Sequence, residues 1–445
     1  TGREPELRDS RTTKEGLRFM EASVSSVNPS LPPPNRGGAE QAREAPLWRN
    51  RAFVGLLSGN TASVFGDSFN GIALSLWVLQ TTGSAQRMAA IQIVTMAVGF
   101  LFGSFAGTLA DRVDRRKLML ISDLSRCLIA ALLGVCLFAA SAPFPVVLLL
   151  VASSMFAGLT MGPAFHATTT RIVGQGRIQQ ASSVIHLTDN LARISGLALA
   201  GVIVASFGGL AAILTTSATF LVSAVCTLLA GPFPSAPREG AGKLSFLQDW
   251  SGGFAYIRRD PLVRSIVVLS PVLAAFFLTA IMLVQVMAIN SWRANPVEFG
   301  LIEMCIPLGY MMGAGLLLAF GKRFARRGRL VFLGLILLGP MYFLISRLES
   351  PHVALPFVLL GGLLFSFCSM MVQIILKSEV KNEWQGRIYG TLGAITSVAP
   401  TLVLAAASLL ADRWGASAVL GSLSAILLAV AVAAACLLKP IRTYK

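Results

Sequence analysis

From Arg51 to Leu438 the chain is a succession of apolar stretches of about 20 residues, parted by short polar breaks. At 1.5 Å rise per residue, such a stretch matches the hydrocarbon thickness of a bilayer when helical. Within hydrocarbon every backbone N–H and C=O needs an internal partner, so each stretch must be helix. Spans are expected at 52–79, 88–110, 117–140, 144–172, 181–205, 209–231, 262–290, 297–320, 329–346, 352–377, 385–411 and 415–438. The composition agrees, because 13% of the 445 residues are charged where a soluble domain carries about 25%. A soluble enzyme, a secreted disulfide scaffold and a nucleic-acid-binding domain are thereby excluded, despite a net charge of +16.

The longest polar break, 232–261, contains Pro232, Pro234 and Pro237 and divides the spans six and six. The expected fold is an all-α membrane protein, twelve transmembrane helices in two pseudo-symmetric six-helix bundles. Its expected parts are a tail over 1–48, a bundle over 49–231, a linker over 232–261, a bundle over 262–438 and a second tail over 439–445. The first tail is rich in Arg, Glu, Ser and Pro and too poor in aliphatics to fold alone. It also has neither the apolar core nor the cleavage site of a signal peptide.

The basic residues label the two sides. With both termini in the cytoplasm, 31 of the 37 Lys and Arg fall on the cytoplasmic side. Four (Arg87, Arg293, Arg347 and Arg413) fall outside, and Arg126 and Arg193 lie within spans. That asymmetry sets the orientation. The six cysteines are dispersed, so they read as small buried hydrophobes, with no metal site.

A repeat runs through the chain. Gly107-Thr-Leu-Ala-Asp111-Arg112-Val-Asp114-Arg115 after the second span is echoed 214 residues later by Gly321-Lys-Arg-Phe-Ala325-Arg326-Arg-Gly328-Arg329. Gly176-Arg177-Ile178 is echoed 210 residues later by Gly386-Arg387-Ile388. Duplicated six-helix halves are a transporter architecture. The Gly107–Lys117 segment resembles the loop signature of the major facilitator superfamily, with Asp114 in place of the second glycine. Gly66-Asp67, Thr82-Gly83-Ser84-Ala85 and Ala110–Arg116 are similar to the enterobactin-exporter and macrolide-efflux branch. The resemblance implies a conformational latch at Gly107, Asp111, Arg112, Arg115 and Arg116, which ties the two halves on the cytoplasmic side. Gly107 would allow close helix approach there. Ala325 in place of the acid implies that the second copy lacks such a latch.

Ionisable groups inside a bilayer cost about 2.5–3.5 kcal/mol each at a span centre, so each needs a reason. Asn60, Ser63, Asp67, Asn70 and Gly71 form one stripe on the first span, suited to face an aqueous cavity. His186, Asp189, Asn190 and Arg193 share a face of the fifth span, where Asp189 and Arg193 stand at i, i+4. Asp123 and Arg126 on the third span read as a structural i, i+3 pair. Glu303 enters the eighth span from the outer side, and either carries protons in a buried cleft or merely borders the mouth. Ser366, Ser369, Gln373 and Lys377 stripe the tenth span and are expected to join the first in lining a cavity. The fifth span has Arg193-Ile-Ser-Gly196 through Gly201 without the proline of many proton-driven exporters, yet small enough to pack on the eighth.

The function implied is a secondary transporter that exports a small organic solute (a siderophore or other metallophore, a macrolide, or an amphiphilic drug). It would exchange the solute for protons by alternating access in a bacterial inner membrane. It needs no cofactor beyond the proton gradient. Its partners are the small-molecule substrate, protons and lipid, with no nucleic acid, and it acts as a monomer. The same scaffold also suits a lysophospholipid flippase, a solute importer or, less readily, a sensor that does not transport.

Overall fold

The computed structural model describes residues 47–138, 142–231, 256–320, 327–380 and 382–442. Residues 1–50 and 51–445 form separate units. Of the first, only a 3-10 turn at Leu47–Arg49 and Asn50 are described. The expected tail, linker 232–255 and loop 321–326 with Lys322, Arg323 and Ala325 lie outside the described residues, as do the last three.

The regular structure of the second unit is helical among its described residues: α1 Arg51–Thr82, α2 Ala85–Arg112, α3 Arg115–Phe138, α4 Phe144–Gly158, α5 Met161–Val173, α6 Ile178–Leu229, α7 Pro261–Asn290, α8 Pro296–Phe320, α9 Arg327–Ile345, α10 Pro351–Glu379, α11 Asn382–Trp414 and α12 Ala416–Leu437, with short helical turns at Gln175–Arg177 and Lys439–Arg442. Among the described residues, eleven helical segments are long and apolar enough to cross a membrane, α4 and α5 together making one of them.

Local sequence explains where helices start and break. Asp260 caps α7 by accepting from Leu262 and Val263 N–H at 2.8 and 3.1 Å, with Pro261 at the first helical position. Asn295 and Glu298 form a reciprocal capping box on α8, each side chain accepting from the other's backbone N–H at 2.8–2.9 Å. The 52 residues of α6 are interrupted at Gly208, whose φ of 82° and ψ of 170° are non-helical. The expected single helix over 144–172 is instead two, α4 and α5. Pro163 has no N–H for the Leu159 carbonyl, and it falls in the first turn of α5, where a missing N–H costs least.

Packing follows small residues, as it must where lipid removes the hydrophobic drive between helices. Gly59 and Gly66 of α1 lie against Ser223 and Thr219 of α6, and Gly313 of α8 lies against Ser366 of α10. The α6–α8 contact expected from Gly196–Gly201 is present. A Cβ on Gly300 would stand 2.8 Å from the Leu197 carbonyl, and one on Gly201 would strike the Pro296 carbonyl. Gly300→Ala is therefore expected to lower stability by about 1–3 kcal/mol, read as a lower melting midpoint in detergent. Large apolar side chains such as Leu318, Leu229 and Phe207, 88%, 80% and 76% exposed, point outward. In water they would be a liability, whereas in a bilayer they face their solvent.

Candidate functional site

A cavity of about 500 Å³ lies among α1, α2, α6, α7 and α8, and its lining brings together three of the ionisable groups that the sequence places inside spans, Asp67, Arg193 and Glu303. Asp67 and Gly71 enter it from α1, Asn190 and Arg193 from α6, and Glu303 from α8. Aliphatic and aromatic side chains, among them Phe277 and Tyr310, make up much of the rest.

On one wall Asp67 is salt-bridged to Arg126 of α3. Arg126 is 9% exposed and Asp67 49%, so the carboxylate faces the cavity while its partner is sunk behind it. Arg126 also donates to Ser63 Oγ at 3.1 Å and lies 4.0 Å from the Phe220 ring centroid. Gly158 makes room for the guanidinium, since a Cβ there would sit 3.2 Å from Nε.

This corrects the expected Asp123–Arg126 pair. Helical spacing permits it, but Arg126 reaches across to α1 instead. Asp123, fully buried, accepts from Ser223 Oγ at 2.6 Å. The expected Asp189–Arg193 pair is likewise not formed. Asp189 accepts from Asn60 Nδ2 at 2.6 Å, joining α6 to α1, and Arg193 faces the cavity. A carboxylate in hydrocarbon takes the nearest donor on a neighbouring helix over a strained partner on its own.

The expected stripe on α1 therefore divides. Asp67 and Gly71 line the cavity, Ser63 serves Arg126, Asn60 serves Asp189, and Asn70 Oδ1 is buried without a partner. His186 accepts from Asn190 Nδ2 through its backbone carbonyl at 2.7 Å and is absent from the lining.

The opposite wall carries Glu303, whose Oε1 is shielded from solvent and has no hydrogen-bond partner. Pro307 stands four residues on, so the Glu303 carbonyl lacks its ordinary helical donor. Gln285 of α7 lies nearby and accepts from Gln92 Nε2 of α2 at 3.3 Å. Phe277 stacks on Phe365 with ring centroids 3.5 Å apart, and Tyr310 tilts toward the same ring at 6.2 Å.

Among the described residues lining this cavity none belongs to α10, the span expected to bring Ser366, Ser369, Gln373 and Lys377 to it. Ser366 is buried against Gly313, Ser369 Oγ donates to the Tyr310 hydroxyl at 3.4 Å, and Gln373 and Lys377 are exposed. Periodicity places a polar stripe on a helix but does not say which neighbour it meets. Gln92, Gln285 and Tyr310 were overlooked in the sequence. The two amides in otherwise apolar spans, and the Glu303-x-x-x-Pro307 spacing, are the signals that could have found them.

At the loop after α2, the side chain of Asp111 lies outside the described residues. Arg112 is exposed, Arg115 Nε donates to the Ala110 carbonyl at 3.4 Å, and Arg116 Nη2 donates to the Leu228 carbonyl at 2.7 Å. A Cβ on Gly107 would meet open space, so the close approach expected there is not made in this conformation. Gly107→Ala should accordingly leave the melting midpoint within about 0.5 kcal/mol of the parent's stability, in contrast to Gly300→Ala.

Membrane-length helices enclosing a cavity lined by charged and apolar side chains suit a multi-pass carrier, and the family match makes it a secondary transporter and not an enzyme. The chain belongs to the major facilitator superfamily, whose profile matches residues 56–399. It is 27% identical over 391 residues to the MFS-type transporter YfiS of Bacillus subtilis, covering 84% of this chain and 90% of that one. It is 22% identical over 372 residues to macrolide efflux protein A of Streptococcus pyogenes (83% and 91% covered). To the enterobactin exporter EntS of Escherichia coli it is 27% identical over 412 residues (87% and 89% covered). Among solved structures, a bacterial homologue of the human lysosomal transporter Spinster superposes with a TM-score of 0.69 at 12% identity, over 88% of this chain and 98% of that one.

Proposed function

We propose that the protein exports an amphiphilic organic solute with a cationic group from the bacterial cytoplasm, driven by protons moving the other way. The observation that carries this reading is the charge layout of the cavity. Asp67 is already neutralised by Arg126, whereas Glu303 has Gln285 and aromatic side chains about it and no basic partner among the described residues. An ammonium beside a carboxylate, near a carbonyl freed by proline and aromatic faces, meets a complete set of acceptors. The remaining lining suits an apolar body, and Arg193 an acceptor at its other end. A catecholate siderophore, being anionic, would meet the Glu303 wall unfavourably. Among the relatives, the macrolide efflux protein fits this reading better than the enterobactin exporter.

In the same reading the chain crosses the membrane twelve times, the break at Gly208 separating the fifth and sixth spans. Spans 49–231 and 262–438 form the two bundles, with both termini cytoplasmic, a reading that the distribution of Lys and Arg supports. Asp67 is the coupling carboxylate. A proton on it would release Arg126, and substrate and proton would then bias the same two conformations in opposite senses. The Gly107–Arg116 motif acts as the latch of the alternate state, in which α2 approaches its neighbour at Gly107.

Proteoliposomes under an imposed pH gradient test this with three probes, a lipophilic fluorescent amine, a catecholate and a lysophospholipid. Uphill movement of the amine, abolished by a protonophore, is expected. Movement of the lysophospholipid alone, or amine transport indifferent to the gradient, would overturn the reading.

A further inference from the structure

The first four N–H groups of a helix have no partner within it. For α2 these belong to the cap residue Ser84 and to Ala85, Gln86 and Arg87. Two are satisfied locally, Ser84 N–H by Thr82 Oγ1 at 3.2 Å and Arg87 N–H by Ser84 Oγ at 3.3 Å. The other two are satisfied from the far end of the sequence. Ala85 N–H donates to Asp412 Oδ1 at 2.6 Å and Gln86 N–H to Asp412 Oδ2 at 3.1 Å. The Ser84 hydroxyl adds a third bond to Asp412 Oδ2 at 2.8 Å. One carboxylate on the last turn of α11 thus takes three donors and sits at the positive end of the α2 dipole.

The contact is reinforced from a third helix. Asn290 Nδ2, at the end of α7, donates to the Gly83 carbonyl at 2.8 Å. Gly83, at φ 62°, and Gly415, at φ 86°, supply the turns that bring the α1–α2 and α11–α12 connections together. Thr82, Ser84, Asn290 and Asp412 border a small void of about 350 Å³ at this end. At its other end α2 meets open space beside Gly107. The helix is therefore fastened at its start, while near its finish Gly107 leaves room between the buried Ala106 and Ala110.

We infer that Asp412 is a positioning residue of the transport cycle, a clasp that holds the Ser84 end of the carrier shut while the cavity communicates with the Gly107 end. Asp412 is exposed, so the two amides can exchange the carboxylate for water and the clasp can open reversibly. The inference goes beyond the proposed substrate and coupling, and holds for either direction of transport.

Hydrogen exchange on the purified full-length protein, with no ligand added, tests it. In Asp412→Ala, exchange over 83–90 is expected to rise about tenfold, the scale of a lost charge-assisted cap. The rise should extend to 286–291 on α7, while exchange over 107–118 slows as that end closes. Asp412→Glu should restore the parent pattern, and Ser84→Ala, which keeps both amide bonds, should move it in the same direction by less. The melting midpoint of each variant separates a shifted conformation from a damaged fold. A rise confined to Ala85 and Gln86, with 286–291 and 107–118 unchanged, would reduce Asp412 to a local cap and overturn the inference. So would parent-like exchange at all three segments.

Discussion

Asp67→Asn is expected to abolish uphill, gradient-driven transport, with a loss of at least about 100-fold, while downhill exchange of the same solute continues. The substitution keeps the shape of the side chain and removes its ability to bind and release a proton. It also leaves the Arg126 guanidinium, 9% exposed, with Ser63 and the Phe220 face as its remaining partners. Breaking a fully buried ion pair costs about 3–5 kcal/mol. Here the cost is lower, because about half of the Asp67 side-chain surface faces the cavity. Asp67→Asn combined with Arg126→Gln removes both charges and separates the two effects. The double variant should recover the melting midpoint and remain uncoupled. If Asp67→Asn accumulates solute against a gradient at the parent rate, Asp67 is not the coupling group and the pair is purely structural.

Glu303→Gln is expected to weaken binding of an organic cation by about 10- to 150-fold while binding of a neutral analogue of the same shape changes little. A hydrogen bond to a charged group contributes about 1.5–3 kcal/mol, which corresponds to that range. Glutamine keeps the volume and can still hydrogen-bond Gln285, which accepts from Gln92. Equilibrium binding in detergent, with the amine and its neutral analogue compared side by side, is the direct measurement. Equal weakening of both ligands would mean that Glu303 shapes the cavity and does not recognise charge.

Much of the fold is legible in the sequence because a bilayer leaves it little choice. The expected ends of most spans fall within three residues of the helices found, as with 262–290 against Pro261–Asn290 and 297–320 against Pro296–Phe320. The exception, 144–172, carries Gly158, Gly162 and Pro163, a breaker cluster that a hydropathy pattern overlooks. Side-chain partners were less legible. Spacing along one helix suggested Asp123–Arg126 and Asp189–Arg193, but the bonds formed run between helices, Arg126 to Asp67 and Asn60 to Asp189.

Apolar runs, their lengths and the sidedness of Lys and Arg follow from the one-dimensional rule that hydrocarbon admits helices and resists charge, and that rule reads directly from residue order. It also marks Asp67, Arg193 and Glu303 as residues in need of a purpose. Which of them share a cavity, that Arg126 stands behind Asp67 through the gap at Gly158, and that Asp412 completes a helix start 326 residues away were decided by tertiary structure alone. Those contacts depend on how helices rotate and cross. Close contacts of small residues such as Gly201 and Gly300 set that geometry, and no local pattern encodes it.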